Sequence, residues 1–560
     1  MDIFVDDFVT ERSDAAVGIR QAVRYALSLP EPSVLMFSAG SYSCVSSLTH
    51  PNSSIAHDDG CGKVEEKECH ILVSGGNHLT LRGSTNADGT PSTLLVGLNN
   101  GEVQTLMPSL IWTEGCSDLT LENLAFTRKP ETSFAAEVHA IHGNEIVLDV
   151  DGTGQLPSHL PLYCMNVLDP GDRGLKKPSL TVGFGLDLRM VRGKDGFYRF
   201  TSQEIANNIV EGELLSWHQA GITDFLLFFG GCKNLVLSNL RIYNSNGSAM
   251  LTENCRNIKA TGVVIQPSNN KHFAASRDGW KIYRCTGDVI LESCHIEGVR
   301  MDGQNVHSNY LIVEQRIDDH TLVCKAPYVQ LALSDGSQIE FSDGRQVFLT
   351  PILSSELYAS SWNVPNISTD DSASAVVGKP NRENRYLIHF AEPLPTFIAP
   401  SVLARAMCWE VSSYTCRNTI FRNIAGAGNL VRCSNVLLEG NLYENIMNAG
   451  ILLGSELSTH IECSNVTNVV IRGNIFRNNG FKPRYGKHGK ACIAIRSQGF
   501  YTACNGNILI ENNKFFSSQC AIELHNVQQV TVRGNEYTEI VQKVFVDAFS
   551  TNSIEIEENF

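Results

Sequence analysis

The feature that most constrains the fold is a short motif that recurs along the chain. Each copy has a Cys or Asn, a tight turn, alternating apolar and polar residues, and then Asn with an aromatic or aliphatic residue. Period-2 alternation between Asn/Gly turns predicts one short β-strand in each copy. The clearest copies are GCSDLTLENLAF from Gly115, GCKNLVLSNLRI from Gly231, RCTGDVILESCHI from Arg284, RCSNVLLEGNLY from Arg432 and ACNGNILIENNKF from Ala503.

The spacing of the copies predicts a β-solenoid. Cys255 follows Cys232 by 23 residues and precedes Cys285 by 30, with no amphipathic helix between the copies. Such repeats stack as successive coils around one core. A β-sandwich is the alternative, but it would need hairpin turns such as Asn-Gly at regular positions. Stacking predicts inward ladders of the asparagines at the bends, namely Asn123, Asn239, Asn474, Asn513 and Asn535.

Two stretches of hairpin-rich, antiparallel β texture interrupt the repeat. Each is long enough for a small barrel of about six strands. They divide the chain into five predicted segments. The solenoid comprises a first part with a capping helix (1–126), central catalytic coils (221–307) and a last part (411–560), and the two inserted barrels are 127–220 and 308–410. The insertions are either decoration or walls around a site on the solenoid face.

An amphipathic helix is predicted near the N-terminus. The segment SDAAVGIRQAVRYALSL has helical spacing, and Ser13 is a candidate N-cap. A solenoid needs such a cap because its first coil would otherwise expose a strand edge.

Charge narrows the classes of partner. The 560 residues include 44 Lys+Arg and 59 Asp+Glu, a formal net charge of −15. An acidic chain is repelled by phosphate backbones and anionic lipid, so neither nucleic acid nor a membrane is an expected partner.

The sequence contains no run of about 18 apolar residues, so no membrane-spanning helix is predicted. The first residues lack a secretory signal, which leaves a cytoplasmic protein or a secreted or periplasmic protein whose signal was removed.

The 17 cysteines show no CxxC pair and no Cys/His spacing typical of zinc sites. Most recur at one phase of the repeat, so they are interpreted as small buried apolar residues. No metal and no cofactor is predicted.

The segment from Phe273 to Tyr310 holds the candidate chemistry. Asp278 and Asp302 are 24 residues apart, about one coil, and should project from adjacent coils about 4.8 Å apart. Two carboxylates that close do not both ionise easily, which suits acid/base work on a glycosidic bond. The alternative is that both Asp-Gly pairs are only turn dipeptides.

Neighbouring residues favour a site. Asn305 and His307 alternate on the strand after Asp302 and point to one face, which Arg277 shares. Trp280 offers a flat surface for a sugar ring, although a core position is equally open.

A third carboxylate, Glu462, comes 160 residues after Asp302, or two to three coils once the second insertion is removed. It could face the aspartates across a groove, as the acid and base of an inverting hydrolase do. Its competitors are Glu439, Glu456 and Glu511.

These segments resemble glycoside hydrolase family 110, the α-1,3-galactosidases. The likeness runs through AAVGIRQAVRYAL, LTLENLAFTRKPETSFAAEVHAI, DGWKIYRCTGDVILESCHIEGVRMDGQNVHSNY and THIECSNVTNVVIRGNIF. The resemblance implies a right-handed parallel β-helix with two β-barrel insertions and metal-independent, inverting release of terminal galactose. It also implies catalytic roles for Asp278, Asp302 and Glu462, with Asn305 and His307 in the second motif.

Two positions depart from the family pattern. Met301 replaces the first Asp of Asp-Asp-x-x-Asn-Val-His, and Lys281 stands where the first motif usually ends in His. Met301 could line the sugar pocket with an adjustable apolar surface.

Other functions stay open on the same scaffold. A polygalacturonase would be expected to show Gly-His-Gly and Arg-Ile-Lys motifs, and neither occurs. A uronate lyase would gather bases and acidic calcium ligands on one face. A glycan-binding solenoid without activity is the third alternative. In each case the expected partner is an oligosaccharide or glycoconjugate glycan, and a homodimer is possible.

Overall fold

The computed structural model describes residues 1–54, 66–98, 107–131, 133–150, 159–171, 174–177, 188–218, 225–268, 271–327, 332–363, 381–457, 461–481, 490–551 and 553–557. They form a parallel β-helix of three strand rows, interrupted by two antiparallel domains. The predicted fold class is therefore confirmed.

The first row is a sheet of 13 strands that pair in parallel from coil to coil. Its strands are Asp2–Phe4, Ser33–Met36, Leu79–Arg82, Thr120–Glu122, Lys233–Ser238, Arg256–Thr261, Thr286–Glu292, Val411–Arg417, Val436–Glu439, Thr467–Arg472, Asn505–Glu511, Val527–Arg533 and Ile554–Ile556.

The second and third rows merge at the C-terminal end, because two long strands, Lys514–Leu524 and Glu536–Val546, run through both. The second row also contains Gly40–Cys44, Thr93–Leu98, Leu124–Lys129, Arg241–Ile242, Val264–Ile265, His295–Val299, Ile420–Ile424, Leu442–Ile446 and Ile475–Asn479. The third row contains Glu66–Ser74, Ser109–Glu114, Phe225–Gly230, Ser248–Glu253, Trp280–Tyr283, Gln304–Asn309, Asn429–Val431, Ile451–Leu453 and Ala491–Ile495. Two short strands, Leu48–Pro51 and Glu462–Cys463, add to it in antiparallel.

Stacked side chains fill the core in ladders. Five aromatic rings lie nearly parallel in successive coils of the second row, with centroid spacings of 4.9–5.3 Å: Phe421, Tyr443, Phe476, Phe515 and Tyr537. Cysteines form another ladder, in which the Cys232 N–H donates to Cys255 Sγ at 3.1 Å. All 16 cysteines in the described ranges are free thiols and 13 are buried, which confirms their apolar interpretation.

The prediction that the bend asparagines form inward ladders is confirmed for three of the five residues. Asn474, Asn513 and Asn535 form a buried ladder, in which each side-chain oxygen accepts the N–H of the preceding coil at 2.9 Å. The prediction was wrong for Asn123 and Asn239, which are half-exposed and bond to each other at turns with φ of 57° and 48°. At those bends the left-handed backbone, rather than core burial, favours Asn.

Asn474→Leu is expected to lower the free energy of unfolding by about 3 kcal/mol, because it removes the acceptor of the buried Asn441 N–H and a side-chain donor to the Leu438 carbonyl. Chemical denaturation measures the loss. Asn468→Gly is the control, because Asn468 belongs to an exposed ladder and its φ of 58° suits glycine. That change should cost about 0.5 kcal/mol or less. Equal losses in the two variants would contradict a special role for the buried ladder.

The predicted N-terminal helix is Ala16–Leu27, and its buried face, including Ile19 and Val23, joins the solenoid core at its first coils. The prediction of Ser13 as N-cap was wrong. Ser13 lies in the 3-10 turn Arg12–Asp14, and the helix begins after Ala15 without a side-chain cap. The other described α-helix is the single turn Gln203–Ala206, so in these ranges no helix has the length and apolar character to cross a membrane.

The first insertion is a closed, six-stranded barrel. Its strands are Ser133–His142, Glu145–Asp149, His159–Leu168, Leu188–Arg192, Tyr198–Thr201 and Leu214–His218. The second insertion, which was also predicted to be a barrel, is a seven-stranded antiparallel sheet around its own apolar core. Its strands are Leu311–Arg316, Thr321–Pro327, Gln338–Ser342, Val347–Pro351, Ser354–Asn363, Asn381–His389 and Leu403–Ala406. The junctions proposed for the two insertions remain a prediction.

Candidate active site

Asp278 and Asp302 lie on adjacent coils at the corner that leads into the third row. The strands that follow them pair in parallel, with Trp280 opposite Gln304. The Asp302 N–H donates to Asp278 Oδ1 at 3.2 Å, so the first carboxylate reaches the backbone of the next coil. The spacing of one coil predicted from the sequence is therefore correct.

The two carboxyl groups differ in exposure. Asp278 is 3% exposed, whereas Asp302 is partly exposed. Asp302 Oδ1 accepts the Ala427 N–H at 2.7 Å. Gly426 makes room for this carboxylate, because a Cβ there would lie 2.5 Å from Asp302 Oδ1.

The strand Gln304–Asn309 forms the floor of the site. Gln304 and Val306 point into the core, so Asn305 and His307 lie on the outer face, as predicted. Lys281 is opposite Asn305 on the neighbouring strand, and Tyr283 is opposite His307. The Tyr283 and His307 rings lie 4.9 Å apart. Lys281, one of the departures from the family pattern, thus occupies the middle of the floor.

Glu462 lies at the far end of this floor. Its strand pairs in antiparallel with Gln304–Asn309, with Glu462 opposite Asn309. One carboxylate oxygen accepts from Arg432 Nε at 2.7 Å, and the other is 3.6 Å from His307 Nε2. All three side chains are more than nine-tenths buried. Glu462 therefore lies beside His307 of the second motif, and its position opposite the aspartates remains a prediction.

The strand Gln304–Asn309 separates the aspartates from Glu462. His307 follows Asp302 by five residues, so their Cα atoms are about 16 Å apart along extended backbone. The outer face of this strand therefore lies between two sets of carboxylates.

The prediction that Trp280 contacts a sugar was wrong. Trp280 is 1% exposed, packs in the solenoid core and donates from Nε1 to Thr252 Oγ1 at 2.8 Å. It has the same inward orientation as its partner Gln304. Arg277 and Met301 lie at the corner with the aspartates, where Arg277 is 8% exposed and Met301 is partly exposed.

Two arginines of this region were not predicted. Arg432 holds Glu462, and its N–H donates to the Val306 carbonyl, which places it one coil beyond His307. A weak signal was present, since Arg284 and Arg432 both precede a repeat cysteine where other copies have Gly, Asn, Thr, Glu or Ala.

The second unpredicted arginine, Arg300, joins the first barrel to the corner. Its guanidinium donates to His218 Nδ1 at 2.6 Å and to Asn166 Oδ1 at 2.8 Å. Burial lowers the pKa of Arg300 to about 9. Burial, and then the charge of Arg300, lower the pKa of His218 well below its usual value, so its Nδ1 remains free to accept. The barrel is therefore anchored two residues before Asp302.

No family model matches the chain. The chain is 28% identical over 295 residues to alpha-1,3-galactosidase B of Akkermansia muciniphila, covering 50% of the chain and 34% of that relative. It is 27% identical over 304 residues to alpha-1,3-galactosidase A of Bacteroides fragilis, covering 52% of the chain and 46% of that relative. The chain thus spans less than half the length of these curated relatives.

Among solved structures, the exopolygalacturonase of Yersinia enterocolitica aligns with a TM-score of 0.37 and 10% identity, over 99% of this chain and 78% of the other. The relatives named as α-1,3-galactosidases confirm the resemblance that the motifs indicate.

Proposed function

We propose that this chain is a glycoside hydrolase that releases terminal α-1,3-linked galactose from a glycan, by an exo-acting, inverting mechanism. The names of its relatives support the substrate class. The single observation that carries the proposal is the pair of Asp278 and Asp302 on adjacent coils, just before the strand Gln304–Asn309, whose far end pairs with Glu462.

Asp302 is proposed as the general acid. An inverting hydrolase needs a carboxyl group that holds a proton beside the leaving oxygen. Asp302 is the more exposed of the two and can give that proton to the oxygen of the departing sugar. Asp278 supports it from the preceding coil, where its Oδ1 accepts the Asp302 N–H.

Glu462 is proposed as the general base. The guanidinium of Arg432 stabilises the negative charge of this carboxylate through a charge-assisted hydrogen bond. An ionised carboxylate can take a proton from water as the water attacks the anomeric carbon from the side opposite the leaving group. The bond to the leaving oxygen breaks, and the product has the inverted configuration.

Four of the predicted residues are proposed to bind the sugar, namely Arg277, Met301, Asn305 and His307. Lys281, which was not predicted to bind it, lies opposite Asn305 on the floor, and both offer polar groups to hydroxyls. His307 binds near the Glu462 end, whereas Arg277 and Met301 border the Asp302 end. The departures Lys281 and Met301 would then adjust which acceptor sugar fits.

The direct test is hydrolysis of an α-1,3-galactobiose followed by proton NMR from the first minute. We expect free galactose that appears first as the β-anomer. The α-anomer first would contradict the inverting mechanism. Cleavage of trigalacturonate with no cleavage of the galactobiose would replace the proposed substrate class with the polygalacturonase alternative.

A further inference from the structure

A second cavity lies along the solenoid from the acid pair. It has a volume of about 490 Å³ and lies between Lys177 of the first insertion and the C-terminal coils. Lys490, Phe481, Asn478, Gln519 and Glu539 are among the residues that line it. None of these residues belongs to the candidate active site described above.

A continuous row of corner residues joins the two places. The Gly426 N–H donates to the Met301 carbonyl at 3.1 Å, and the Asn448 N–H donates to the Gly426 carbonyl at 3.1 Å. The Asn448 carbonyl accepts from the Gly480 N–H at 2.9 Å, and Lys490 is opposite Asn448 by strand register, because Ile451 pairs with Ile493 three residues further along each strand. Lys490 is therefore three coils, or about 14 Å, from Met301. A single sugar ring at the acid pair does not reach Lys490, whereas a longer glycan does.

The row also contains a polar atom that a ligand could satisfy. Asn448 Oδ1 is buried and has no hydrogen-bond partner in the described part of the chain. Unsatisfied buried polar atoms are uncommon in folded proteins and often mark the place of a water or ligand. This atom lies between the acid pair and the cavity.

The lining of the cavity favours a negative ligand. Lys177 and Lys490 contribute two cations in a chain of net charge −15, and Lys177 Nζ lies 5.8 Å from the centre of the Phe481 ring. Glu539 is the one carboxylate in the described lining, and it accepts from Ser517 Oγ at 2.6 Å. Two ammonium groups, amides and an aromatic ring suit a sugar that carries a sulfate or carboxylate group.

We propose that this cavity is an acceptor-side subsite, which binds an anionic substituent on the part of the glycan that remains after galactose is released. The assignment of the cavity to the acceptor side of the substrate rests on the proposed function. Its expected preference for an anionic ligand rests only on Lys177 and Lys490.

Calorimetric titration of the full chain tests the subsite with one α-1,3-linked galactotriose, whose glycosidic oxygens are replaced by sulfur so that it is not cleaved, in three forms: unmodified, with one sulfate ester, and with one C6 oxidised to a carboxylate. At low salt we expect at least one anionic form to bind the wild type about tenfold more tightly than the neutral form. Lys490→Ala and Lys177→Ala should each remove most of that preference. Whichever form is preferred identifies sulfate or carboxylate as the recognised group.

Lys514→Ala is the matched control, because Lys514 is an exposed lysine on a neighbouring strand, paired with Glu536 at 3.1 Å and outside the cavity. It should retain the preference. Equal binding of all three forms by the wild type, or an equal loss in Lys514→Ala, would overturn the subsite. Wild-type hydrolysis of neutral α-1,3-galactobiose reports separately on the proposed function. Anionic binding through Lys490 without hydrolysis would sustain the ligand site and reject that function.

Discussion

Asp302→Asn is expected to lower kcat for an unactivated α-1,3-galactoside by about 10³-fold, within the range that general acid catalysis contributes. The amide cannot donate the proton that the leaving oxygen needs. Its carbonyl oxygen can still accept the Ala427 N–H, so the corner should keep its conformation. Steady-state kinetics with circular dichroism as a check on folding measures the effect.

Substrates with different leaving groups distinguish a general acid from a residue that only maintains the conformation of the corner. A dinitrophenyl α-galactoside departs without a proton, so Asp302→Asn should hydrolyse it at close to the wild-type rate. Asp288→Asn is the matched control, because Asp288 is another carboxylate that accepts from the adjacent coil, through Ser413 Oγ at 2.6 Å, but on the first row. An equal loss on both substrates would mean that Asp302 is not the acid.

Local periodicity was enough to predict the solenoid and its acid pair. A strand with alternate apolar residues has one buried face wherever it stacks, so a repeat of such strands specifies coils before any contact is known. The same argument placed Asp278 and Asp302 one coil apart and placed Asn305 with His307 on the outer face. These relations depend on register within one or two coils.

The errors occurred where position depends on how the chain turns a corner. Trp280 is only two residues beyond Asp278, yet it points into the core because the backbone changes direction at Gly279. Counting by twos from Asp278 therefore gives the wrong face. Asn123 and Asn239 were assigned to the core for a similar reason, since a bend can place Asn on either side.

Contacts that span an insertion could not be read from spacing. Arg432 meets Glu462 and the strand that contains His307 only because the second insertion folds separately and lets the next coil stack directly. Arg300 meets His218 and Asn166 through the docking of the first barrel. Both arginines depend on tertiary placement, which a motif of about 12 residues does not contain.

Glu462→Gln is the second change with a large expected effect, again about 10³-fold in kcat. The amide oxygen can still accept from Arg432 Nε, but it does not take a proton from water at neutral pH. In contrast to the acid variant, this variant should be equally slow on the galactobiose and on the dinitrophenyl galactoside, because both substrates need the same attacking water. The two substrates together therefore distinguish the base from the acid.

Azide provides the positive test of this assignment. A small anion that fits where the water attacks needs no base, so high azide should restore turnover of the dinitrophenyl substrate by Glu462→Gln and yield β-galactosyl azide. Glu439→Gln is the control, because Glu439 is an arginine-paired glutamate exposed on the first row, 2.6 Å from Arg472 Nε. It should behave as wild type with or without azide. Formation of α-galactosyl azide, or wild-type rates in Glu462→Gln, would remove Glu462 from the water-activating role and leave its pairing with Arg432 as a purely architectural contact.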